Sequence, residues 1–103
     1  MSLKYEVRFI TPLDRVSDPD NDNIDVEVLL DGKRYVATFF TTRNLETMFR
    51  RNAASGECAG GTYFWASDMI IVQTLRADTL QTTIDDLLHT GEFTQAFSGP
   101  FDP

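Results

Sequence analysis

The chain has 103 residues, 42% hydrophobic and 12% aromatic, enough to bury a core and too apolar for a disordered chain. Sixteen acidic against nine basic residues leave a net charge of -7, the wrong sign for holding a phosphate backbone, so direct DNA or RNA binding is not expected. A single cysteine excludes an internal disulfide and fits a reducing compartment, which points to the cytoplasm.

The first ten residues alternate charged and apolar side chains, unlike the continuous apolar segment of a signal peptide. The longest apolar runs, 63–66 and 69–72, fall far short of the ~20 residues that span a bilayer, so no membrane association is expected. By size the chain is a single domain, 1–103.

Tyr5, Val7 and Phe9 alternate with Lys4, Glu6 and Arg8, the period of a strand with one apolar and one charged face. Thr11-Pro12 stops it, and the Asp/Asn-rich segment to Asn23 reads as a surface loop. Ile24, Val26, Val28 and Leu30 then alternate with acids up to Asp31-Gly32, a pair suited to the positive φ angles of a two-residue hairpin turn. That turn sets Val28 opposite Tyr35, Val26 opposite Ala37 and Ile24 opposite Phe39; a one-residue slip would bury Asp25 and Glu27. The charged residues Arg8, Glu27 and Arg34 fall on the other face.

A helix follows, capped by Thr42, with Leu45, Met48, Phe49 and Ala53 on one face and Gly56 as its left-handed close. The stretch from Cys58 to Val72 carries the sole Trp and the densest apolar run, which predicts the central strand of the sheet, with 62–73 either one bulged strand or a hairpin. Asp78 and Gln81 match a capping box before a second amphipathic helix through Leu80, Ile84, Leu87 and Leu88, closed by Gly91. Phe93, Ala96 and Phe97 suggest one more helical turn, and about 98–103 reads as a loose tail that Phe101 could anchor. The expected fold is α+β: an antiparallel sheet of four to five strands in the order β-β-β-α-β(-β)-α, with two helices packed on one face.

No stretch carries a catalytic signature. Asp18, Asp20 and Asp22 have the spacing of calcium ligands, but Asn23 stands where such a loop needs Gly and Leu29 where it needs a bidentate Glu, so no metal or other cofactor is expected. Gly56, Gly60 and Gly61 lack the Lys and the following helix of a phosphate loop, and Glu57 adds negative charge. Cys58 and His89 are the sole thiol and imidazole, the one nucleophilic pair the chain could offer, but burial for the Cys and the last turn of a helix for the His account for both as structural residues. Asp68 beside Ser67 reads as a turn pair or as a carboxylate at a pocket. Tyr63 and Trp65 point to one side of their segment and Phe64 to the other, so one set of rings is open to a partner unless both faces are covered.

Two functional readings follow. The first is a non-enzymatic protein-binding module, an inhibitor or immunity-type partner of a basic protein, using Asp18, Asp20, Asp22, Tyr63 and Trp65. The second is a small-molecule-binding or weakly enzymatic domain with a pocket formed by Cys58, Ser67, Asp68 and His89. A sheet covered by helices on one face also leaves room for a symmetric homodimer.

Overall fold

The computed structural model describes residues 4–102. Its element order is β1 (Tyr5–Phe9), a 3-10 turn (Leu13–Arg15), β2 (Asn23–Leu30), β3 (Lys33–Thr41), α1 (Thr42–Ser55), a short turn α2 (Glu57–Gly61), β4 (Met69–Val72), α3 (Ala77–Thr90), α4 (Phe93–Ala96) and β5 (Ser98–Phe101). This is an α+β fold around a five-stranded sheet in the order β1-β2-β3-β4, with β5 also on β3.

The hairpin has the register that alternation and the turn predict: Val28 lies opposite Tyr35, Val26 opposite Ala37 and Ile24 opposite Phe39. Asp31 and Gly32 take φ of 53° and 72°, the left-handed values a tight hairpin turn requires. All six paired side chains are buried and form the core with Val72, Leu75, Leu80, Ile84, Phe93 and Phe97. Of the two helices expected on this face, α3 covers it, while α1 does not join the core cluster and the short α4 takes its place. Phe93 and Phe97 stack at 4.4 Å between ring centroids, and each also meets the sheet edge-on, at Tyr35 and Phe39 respectively.

The other sheet face carries the charges assigned to it. Glu27 is largely covered and sits between Arg8, 3.8 Å away, and Arg34, 3.7 Å away.

Several expectations change. The 62–72 stretch is not the centre of the sheet: residues 62–68 are irregular, β4 is only four residues long and lies at an edge, and Ile71 is exposed. The central strand is β3, which has neighbours on both sides. Apolar density in 62–72 reflects aromatics carried on a loop, which composition alone does not distinguish from a doubly covered strand. The sheet also contains one parallel pair, since β4 runs alongside β3 from Thr38↔Met69 to Thr41↔Val72 after the α1 crossover.

The expected loose tail instead forms β5, pairing Ser98 with Val36 and Phe101 with Arg34, whose guanidinium lies 5.4 Å from the Phe101 ring centre. Pro103 lies outside the described residues.

Helix caps shift as well. Thr41, not Thr42, caps α1: its backbone is still extended, and its hydroxyl accepts the Asn44 N–H at 3.1 Å. The capping box at Asp78 does not form, because α3 begins at Ala77 and Gln81 turns instead to Tyr5.

Helix α1 contributes nothing to the core cluster. Leu45 and Met48 are half-buried and Phe49 is exposed, so its apolar face is only partly used. Polar contacts hold it instead: Asn23 donates to Asn44 at 3.0 Å, Thr47 donates to Asn21 at 3.2 Å, and Asn52 is buried. The radius of gyration, 14.6 Å, exceeds the ~13 Å of a compact domain this long, consistent with a helix outside the main core.

Candidate functional site

The connection from α1 to β4 carries Cys58, Ser67 and Asp68 together with two exposed aromatics, Tyr63 and Trp65. Gly56 closes α1 at φ 87°, after which Cys58, Ala59 and Gly60 take consecutive left-handed backbone angles, with φ of 51°, 54° and 70°. Glycine visits this region readily, and Asn or Asp do so as single residues, but a run that includes Cys and Ala carries strain of about 1–2 kcal/mol per non-glycine residue. The turn is tied by Gly60 N–H to the Gly56 carbonyl at 3.2 Å and Thr62 N–H to the Cys58 carbonyl at 3.1 Å, and the Thr62 hydroxyl adds a bond to the Ala59 carbonyl at 2.7 Å.

Gly61 completes the reversal by lying directly against α1. A methyl group there would stand 2.8 Å from the Phe49 carbonyl oxygen and 2.9 Å from the Ala53 nitrogen. The chain beyond it is then pinned by Phe64, whose ring meets Phe40 edge-on at 5.4 Å on the face away from the core. With Phe64 turned in, its neighbours turn out: Tyr63 is 50% exposed and Trp65 68%. The alternation expected of this segment therefore holds although no strand forms.

Asp68 closes the connection. It has φ 55°, its carbonyl accepts the Thr38 N–H at 3.0 Å to begin the parallel pairing, and its carboxylate accepts the Ser98 hydroxyl of β5. Together with Ser67 it lines a shallow cavity of about 220 Å³ that also includes Asp25 and Thr38, and there the Thr38 hydroxyl donates to Asp25 at 2.7 Å. Asp25 was not singled out from the sequence, although the hairpin register already set it opposite Thr38.

Cys58 and His89 do not join this group. Cys58 is half-buried in the left-handed turn, His89 is exposed in the last turn of α3, and neither lines this cavity. The pocket predicted from four residues thus reduces to Ser67 and Asp68.

The acidic loop is partly occupied by its own backbone. Asp18 accepts the Asp20 N–H at 3.0 Å and Asp22 accepts the Asn23 N–H at 2.8 Å. Asp18 and Asp20 are exposed and Asp22 is half-buried. The loop is anchored to the neighbouring elements by Leu75 N–H to the Pro19 carbonyl at 2.7 Å and Thr41 N–H to the Asp22 carbonyl at 3.2 Å. Through Thr47 and Asn21 it borders the first half of α1, while the aromatic loop borders the second half through Gly61.

Among the described residues no group of three His, Cys, Asp or Glu side chains gathers as a metal site, and no helix is long and apolar enough to cross a membrane. No known protein family, curated protein or solved structure matches the chain.

Proposed function

We propose that the chain is a non-enzymatic protein-binding module that uses the 62–66 loop as its anchor and its net negative charge, including the separate acidic loop at Asp18 and Asp20, to favour a basic protein partner. The observation that carries this reading is the exposure of Trp65 and Tyr63 on a loop held from behind by Phe64 and Gly61. Large aromatics on a pre-formed loop contribute contact area at little entropic cost, and Trp and Tyr are enriched among residues that dominate binding energy. Exposed Asp18 and Asp20 and the net charge of -7 suit a positive partner, chiefly by raising its association rate. A reducing compartment, the cytoplasm, agrees with the free Cys58.

The test is capture of a basic protein by the wild-type chain, repeated with Trp65→Ala and at raised salt. Binding lost in Trp65→Ala with the circular dichroism spectrum unchanged, and weakened by salt, supports the reading; binding indifferent to Trp65 overturns it.

A second reading rests on the cavity at Ser67 and Asp68, whose two carboxylates and hydroxyl groups suit a small polar or cationic molecule. It ranks lower because Asp68 and Asp25 each already accept a hydroxyl from within the fold. Thermal stabilisation by a cationic metabolite, abolished in Asp68→Asn, would favour it.

A further inference from the structure

Strand β1 ends the sheet: it pairs with β2 alone, and no described residue pairs with its outer edge. The ladder fixes which backbone groups face that edge. A two-residue turn makes Leu30 and Lys33 a hydrogen-bonded pair, so the even residues of β2 bond to β3 and the odd ones to β1. In agreement, the Asp25 carbonyl accepts the Ile10 N–H at 3.0 Å. Because Glu6 lies opposite Leu29 and Arg8 opposite Glu27, these two residues bond inward. The N–H and C=O groups of Tyr5, Val7 and Phe9 therefore point out to the open edge.

Those same residues carry half-buried apolar side chains, which form a groove of about 430 Å³ with Ala77, Leu80 and Gln81 of α3. Among the described residues the edge has no Pro, no bulge and no covering segment; its protection is limited to its five-residue length and its charged side chains. Its exposed face instead alternates in sign, with Glu6 and Arg8 within 3.5 Å of each other along the strand.

We propose that β1 pairs antiparallel with β1 of a second copy about a two-fold axis at Val7, joining two sheets into one and closing the β1–α3 groove at the seam. Outward-facing groups on odd residues permit only registers that pair odd with odd. Centring on Glu6 or on Arg8 would set like charges directly opposite, which is destabilising. Centring on Val7 sets Glu6 opposite the partner's Arg8, and Arg8 opposite the partner's Glu6. Tyr5 then faces the partner's Phe9 on the apolar side. One strand thus supplies both halves of a self-complementary edge, as an isologous dimer requires, and the same charge pattern selects a second copy over an unrelated strand.

The experiment is sedimentation of the full chain over a wide concentration range, with three variants and one mixture. Wild type should form dimers at high concentration. Glu6→Arg and Arg8→Glu alone should each weaken dimerisation roughly tenfold or more, because each sets like charges opposite twice. Mixed in equal parts they should form a heterodimer with both pairs restored, although the Arg8→Glu chain lacks its Glu27 contact both alone and in the mixture. Val7→Pro removes an outward N–H without touching the β1–β2 ladder, so it should fold and stay monomeric. A wild type that is monomeric throughout overturns the proposal, as does a dimer that survives Val7→Pro or a mixture no tighter than its parts. Should either charge variant fail to fold, Val7→Pro decides the question by itself.

Discussion

The Tyr5 hydroxyl on β1 donates its hydrogen to the Asp85 carboxylate on α3, a bond across 80 residues of sequence that ties the edge strand to the helix covering the core face. Gln81, one turn earlier on α3, donates to the Tyr5 hydroxyl oxygen. Burial, followed by the bond and the negative charge of Asp85, pushes the Tyr5 phenol up to about 12, with Gln81 opposing. The folded state therefore holds this proton after the unfolded chain has lost it. The resulting stabilisation is complete below pH ~10, the ordinary tyrosine value, and is lost as pH rises through about 12. Denaturant melts of wild type and Tyr5→Phe between these limits should converge as pH rises; a difference independent of pH would show that the phenol does not titrate this way.

Val28 has no exposed surface and faces Tyr35 across the hairpin, whereas Val36 lies on the opposite face and is half-buried. Val28→Ala should cost about 1–3 kcal/mol in chemical denaturation through lost burial and the cavity left behind. Val36→Ala should cost less. Equal losses at the two positions would contradict the assignment of faces.

This hairpin was also the part of the fold most legible in the sequence, and the reason is local. Strict alternation and a turn with one preferred geometry specify the same register independently, so no long-range information is needed. The 62–68 segment had no such redundancy: Phe64 turns inward because Phe40 lies beneath it, a contact set by the path of the chain after α1. Likewise Ser98–Phe101 looked unstructured because glycine and proline disfavour strands, yet an edge strand tolerates both and β3 had a free segment to pair with. Ser67 and Asp68 were recognised as neighbours, but their cavity partners Asp25 and Thr38 come from the hairpin.

Strain in the 56–61 reversal gives paired predictions of opposite sign. Ala59 holds φ 54° while exposed, so Ala59→Gly should stabilise the fold by about 0.5–1 kcal/mol. Gly61→Ala should destabilise it by about 2 kcal/mol or more, because the new methyl group meets the backbone of α1 rather than a movable side chain. Thermal melts of the two variants check both signs. Stabilisation by Gly61→Ala would mean that the loop does not lie on α1.

The aromatic loop separates folding from binding at adjacent residues. Phe64→Ala removes the edge-on contact with Phe40 and should lower stability by about 1–3 kcal/mol. Trp65→Ala, at a ring that is 68% exposed, should leave stability within about 0.5 kcal/mol of wild type and abolish most partner affinity. Asp18→Asn with Asp20→Asn keeps the turn's oxygen acceptor but removes two charges, so it should slow association modestly and only at low salt. Cys58→Ala and His89→Ala, at positions that do not share a site, should leave binding unchanged. Surface plasmon resonance on these variants, read beside their melting curves, tests the whole pattern. Loss of activity in Cys58→Ala or His89→Ala with the fold intact would replace the binding module with thiol or imidazole chemistry.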